Sequence, residues 1–135
     1  MTGRWIGVVL AAAAVCAASG CAAVSERRDA ATAATAHFEK ALRARRYAAA
    51  CAVLAPTTRE ELARSARVTC EEAMGQEEVP AGGAVRHVDV YGNQARAVLT
   101  RDTVFLSRFP GGWKVTAAGC QERPEKPYRC GIKGG

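Results

Sequence analysis

The run AVRHVDVYGNQARAVLTRDTVFLSRFPGGWKVTAA, residues 84–118, alternates with a period of two and is broken at three turn signals. Such alternation sends successive side chains to opposite faces of a strand. A first strand is predicted over residues 84–91, with Val88 and Val90 on one face. Gly92-Asn93 is a hairpin turn. A second strand follows over residues 94–100, with Ala95, Ala97 and Leu99 sharing a face. Arg101-Asp102 turns the chain into a third strand, residues 103–109. Pro110-Gly111-Gly112 turns it into a fourth, residues 113–118, with Trp113, Val115 and Ala117 on one side. Four strands at hairpin spacing form an antiparallel meander. Such a sheet needs a cover on at least one face.

The preceding residues supply that cover, because their period is helical. Ala34, Phe38, Ala41 and Leu42 stripe a first helix, about residues 30–46, whose Glu39, Lys40 and Arg43 are predicted to face water. Tyr47 to Leu54 forms a second helix, ended by Pro56. Thr58-x-x-Glu61 fits a capping box opening a third. A short fourth, about residues 68–74, carries Cys70, and residues 75–83 read as a loop. Helices first and strands after give an α+β fold, with N-terminal helices on a curved antiparallel sheet of about four strands. Residues 121–135, with Pro124, Pro127 and a glycine-rich end, read as a loop.

At 135 residues the chain has room for one domain and none for a separate cofactor fold. Its formal charge is +6, but the basic clusters are short: Arg27-Arg28, and Arg43 with Arg45 and Arg46. Aromatic residues are 6%, which argues against a stacking platform for nucleic acid. The clusters read instead as a solvated face near anionic headgroups.

The first twenty residues carry one charge, Arg4, before an apolar or small run from Trp5 to Ala18. A basic start, a short apolar stretch and a small-residue exit describe a secretory signal. Its exit, Ala18-Ser19-Gly20-Cys21, resembles the bacterial lipobox, although Ala18 stands where Leu is favoured. That resemblance implies cleavage before Cys21 and diacylation, with palmitate-type chains, of the Cys21 thiol. Two chains anchor stably where one is marginal. The expected organisation is a signal over 1–20, a membrane-proximal tether over 21–29, an α+β domain over 30–120 and a tethered loop over 121–135. The expected location is the outer face of the cell membrane.

Of the six cysteines, Cys16 leaves with the signal and Cys21 takes lipid. Cys51, Cys70, Cys120 and Cys130 remain, an even number in an oxidising compartment. Cys51–Cys70 and Cys120–Cys130 is the favoured pairing of the three available. It staples two neighbouring helices and ties the tail to the last strand, each bond worth roughly 3 kcal/mol in the chain-entropy account. Without CxxC spacing or nearby His, neither a metal site nor a redox pair is expected.

The element order over residues 31–118 resembles the cone-shaped, cystatin-like fold of nuclear transport factor two. A closer likeness is to small uncharacterised lipoproteins of actinobacteria. It rests on YAAACAVLAP (47–56), DTVFL (102–106), GWKV (112–115), AAGC (117–120), Tyr128 with Cys130, and the Gly-Gly end. The resemblance implies a fold and an address, and no activity. Cone-fold enzymes use an Asp with a His or Tyr in a pocket. The candidates are His37, Tyr47, His87, Asp89, Tyr91 and Asp102, but His87, Asp89 and Tyr91 are expected on a solvent face and Asp102 in a turn. Adjacent carboxylates such as Glu60-Glu61 do not share a helix face.

No catalytic residue, metal or cofactor is therefore predicted. The expected function is a small binding or interaction module, held at the membrane through Cys21, with a protein partner. The alternative is a carrier of a hydrophobic ligand or lipid in a pocket lined by Phe105, Phe109, Trp113 and Val115, residues that core packing would equally claim.

Overall fold

A computed structural model describes residue 2 and residues 11–134. Residues 1 and 3–10 of the expected signal thus lie outside the described residues, as do the side chains of residues 11–19, Ala18 and Ser19 among them. The fold is α+β, with helices leading and strands following. The helices are α1 (Ala11–Arg43), α2 (Tyr47–Val53), α3 (Pro56–Ala66) and α4 (Cys70–Glu77). The strands are β1 (Val85–Tyr91), β2 (Gln94–Leu99), β3 (Thr103–Phe109), β4 (Gly112–Arg123), β5 (Lys126–Arg129) and β6 (Ile132–Lys133). The sheet is antiparallel in the order β1-β2-β3-β4-β5, with β6 also on β4.

The first helix starts well before residue 30. Residues 20–26 of α1 are exposed throughout, and Ala31 is the first buried residue among those described. At 1.5 Å per residue, the helix carries Cys21 roughly 15 Å from that point. The expected tether is thus helical. Beyond it, Ala31, Thr35, Phe38, Ala41 and Leu42 bury one stripe against the sheet. Thr35 is tolerated there because its hydroxyl donates to Ala31 O at 2.8 Å. Lys40 and Arg43 are exposed as expected, but Glu39 is buried.

The helix ends depart from the sequence reading for a shared reason. Arg45, Arg67 and Glu78 have left-handed φ of 53°, 57° and 48°. After α1, Arg46 N–H bonds Ala41 O and Arg45 N–H bonds Leu42 O, the paired closure of a Schellman motif. The end of α3 repeats it, with Val68 N–H to Ala63 O and Arg67 N–H to Arg64 O. Glycine is the usual occupant, so the stops were hidden. At α3, Pro56 takes the first turn and Ala55 the cap, so Thr58 does not cap. Thr58 is buried and donates to Thr116 O instead. The capping box belongs to α4, where Thr69 and Glu72 bond reciprocally. Gly75 does not stop α4, which runs on to Glu77.

Strand β4 is twice the predicted length. Phe105 pairs with Ala117 but Leu106 with Val115, leaving Thr116 as an extra residue. A second shift falls between Thr103 and Phe105, near Gly119 at φ 64°. Bulges bend a strand and switch its faces. Accordingly burial runs Trp113, Val115, then Ala118, Cys120. The tail is no loop. β5 pairs β4 at Gln121–Arg129, β6 pairs it at Ala118–Ile132, and Ile132 is 2% exposed within the core. Among the described residues six strands stand where about four are expected. Both predicted disulfides are present, Cys51–Cys70 and Cys120–Cys130.

Candidate functional site

Two groups of ionisable side chains stand out, on opposite sides of the sheet. The first is a buried acid corner. Glu39 follows Phe38 on the inner stripe of α1 and is 2% exposed. Its Oε2 accepts the Gly82 N–H at 2.6 Å. Asp102, from the β2–β3 turn, is 9% exposed, and its Oδ1 has no hydrogen-bond partner. Gly82 is clamped against it: a Cβ there would lie 2.0 Å from Asp102 Oδ1. The turn holds the glycine loop by its backbone. Arg101 N–H donates to Gly82 O at 2.8 Å, Arg101 Nη2 to Ala81 O at 3.0 Å, and Thr100 N–H to Ala84 O at 3.0 Å.

Burial pushes the Glu39 carboxyl up to about 7, and the Asp102 charge adds to it. The Gly82 N–H, Arg43 and Gly83 N–H act the other way. Burial also raises Asp102, against the pull of Arg101. Desolvation penalises the charged form, so the corner holds a proton near neutrality. A carboxyl titrating near 7 suits proton transfer. Here its partners are the Gly82 and Gly83 backbone, Asp102 and Arg43.

The second group lies on the outer face. His87 Nε2 bonds Asp89 Oδ1 at 2.7 Å, and Arg96 Nη2 donates to Asp89 Oδ2 at 2.7 Å. The Arg96 hydrogen bond holds the Asp89 carboxyl below its usual range, and Asp89 in turn raises Arg96. Arg96 also reaches Tyr128, whose hydroxyl donates to Glu122 Oε1 at 2.8 Å and is pushed up by that bond. Tyr128 stands edge-on to Phe105, with ring centres 5.0 Å apart. Strand β5 thereby ties the tail over this part of the face. Tyr91, at the open end, is 64% exposed.

The residues expected to line a pocket do not come together. Trp113 and Val115 are in the core under the helices. Phe105 faces the other way, against Tyr128, because it neighbours the core residue Leu106 along β3. Phe109, four residues on, shares the side of Phe105 and is half-buried. Asp89 does neighbour a His, but on the outer face. Cys21 is a free, exposed thiol. Among the described residues no cluster of metal-ligating side chains occurs, and no helix is long and apolar enough to cross a membrane. No protein-family model, curated protein or solved structure matches the chain.

Proposed function

We propose that this chain is a lipid-anchored, extracytoplasmic binding module, attached through diacylated Cys21 after removal of residues 1–20. What carries the reading is the position of Cys21. It is exposed, on a helical stalk that leaves a domain closed by two disulfides. Disulfides persist in oxidising compartments, and the lipobox pattern Ala18-Ser19-Gly20-Cys21 requires the same export. The stalk would hold the domain off the bilayer, free to meet a partner. The likeness to small actinobacterial lipoproteins belongs to the same reading.

The recognition surface in this reading is the open half of the outer face. It offers Tyr91, Arg96 and the His87–Asp89 pair in a fixed array. Aromatic and Arg side chains are enriched where protein partners bind most tightly. The test replaces Cys21 by Ala in a host that processes lipoproteins. The variant should lose the acyl mass and keep residues 1–20 uncleaved, still disulfide-bonded. A parent chain cut elsewhere, or without acyl mass, would remove the anchor from Cys21. Crosslinking in intact cells should then yield one dominant partner that Tyr91→Ala and Arg96→Ala weaken.

A further inference from the structure

The cleft between α1 and α2 has a composition that the anchor and the sheet face leave unused. It measures about 400 Å³ and is lined by His37, Lys40, Ala41, Ala44, Arg46 and Ala49. That size falls among small-ligand sites. The lining is divided by chemistry: three alanines, of which Ala41 is buried, and a rim of three exposed basic side chains. We propose that this cleft binds a phosphate-class anion, either a free phosphate or the phosphate of a lipid headgroup.

The fold brings the rim together. His37, Lys40, Ala41 and Ala44 follow i, i+3, i+4, i+7 spacing and so share one stripe of α1. The left-handed turn at Arg45 reverses the chain at once and sets Arg46 beside that stripe, locked by its N–H on Ala41 O at 2.9 Å. No carboxylate lines the cleft. The one acid in this stretch, Glu39, is turned to the other side of α1 and held by Gly82. Among the described residues Lys40 and Arg46 enter no ion pair. Arg45 does not count toward the rim, because it lines the neighbouring cleft with Glu78. Lys supplies a compact charge and Arg a planar fork that grips two oxygens, the combination that suits a phosphate.

The test is calorimetric titration of the full chain, in neutral detergent at low salt, with two probes. One is inorganic phosphate. The other is glycerophosphoglycerol, the deacylated headgroup of phosphatidylglycerol. Saturable one-to-one binding is expected for at least one, and the tighter probe identifies the source. The double variant Lys40→Gln/Arg46→Gln should weaken that binding at least tenfold. Arg86→Gln/Arg108→Gln removes the same charge from the sheet and should change it less than twofold. Ala44→Glu, an exposed substitution that puts a carboxylate into the cleft lining, should match the first double variant if that one folds poorly. Absence of saturable binding by either probe overturns the proposal, as does equal weakening by the two double variants. The proposal does not depend on lipidation of Cys21.

Discussion

The carboxylates on the two sides of the sheet meet opposite fates. Asp89 sits at the surface between His87 and Arg96, and its charge is stabilised. Glu39 sits under the sheet beside Asp102, and its charge is opposed. Both accept a short hydrogen bond, 2.7 Å from Arg96 and 2.6 Å from Gly82. The difference lies in water and in the sign of the neighbours. Near the surface a cation stays within reach at little desolvation cost. In the corner the strongest neighbours are a backbone dipole and a second acid. Hydrogen bonding alone does not set the protonation state; in the corner burial outweighs both the Gly82 N–H and the pull of Arg43.

The contrast is broken most severely by Gly82→Ala. The new Cβ would overlap Asp102 Oδ1, and both are buried, so the loop must leave the corner. A loss of about 2–3 kcal/mol is expected in urea unfolding, near the upper range for overpacking. A change within about 0.5 kcal/mol would mean the corner is loose.

Titration comes next. The folded Glu39 value, about 7, lies above its ordinary 4.5. The folded state therefore holds the proton more tightly than the unfolded chain. Stability from this group is full below about pH 4.5, falls as pH rises toward 7, and is level above it. The whole fall amounts to at most about 3 kcal/mol. Asp102, raised in the same direction by burial, adds to the fall. Glu39→Gln keeps an acceptor for Gly82 N–H and loses the charge. Its unfolding free energy should vary less with pH, and it should exceed the parent above pH 7. A parent curve that instead rises from pH 5 to 8 would contradict the buried acid.

On the outer face Asp89→Asn should produce the smallest effect. Exposed ion pairs contribute little and are screened. The loss should shrink at high salt and vanish at low pH, where the parent carboxylate is itself protonated. A large, salt-insensitive loss would mean that Asp89 organises the sheet.

The outer group was readable from the sequence, whereas the corner was not. His87, Asp89 and Tyr91 alternate with Val88 and Val90, and alternation is the signal that strands carry. The Gly92-Asn93 hairpin and both cysteine pairs were legible for similarly local reasons. Glu39 reads as water-facing because it is charged, yet it lies four residues after Thr35 and three before Leu42, on the edge of the buried stripe. The Gly82-Gly83 dipeptide was the other half of the signal, and only the fold places it opposite. Thr58-x-x-Glu61 and Thr69-x-x-Glu72 match the same capping pattern, and Pro56 decided which was used. The tail was missed because Pro124 and Pro127 suggest a loop. Pro127 is tolerated in β5 because that strand is at the sheet's edge. The register of β4 was missed because alternation fails at Thr116, where the bulge lies.

The central claim is the anchor at Cys21, and the intact mass of the protein extracted from its own membrane tests it most directly. The predicted species begins at Cys21, carries a diacylglyceryl group, and is four hydrogens lighter for its two disulfides. A chain that retains residues before Cys21, or a Cys21 without lipid, would contradict the account.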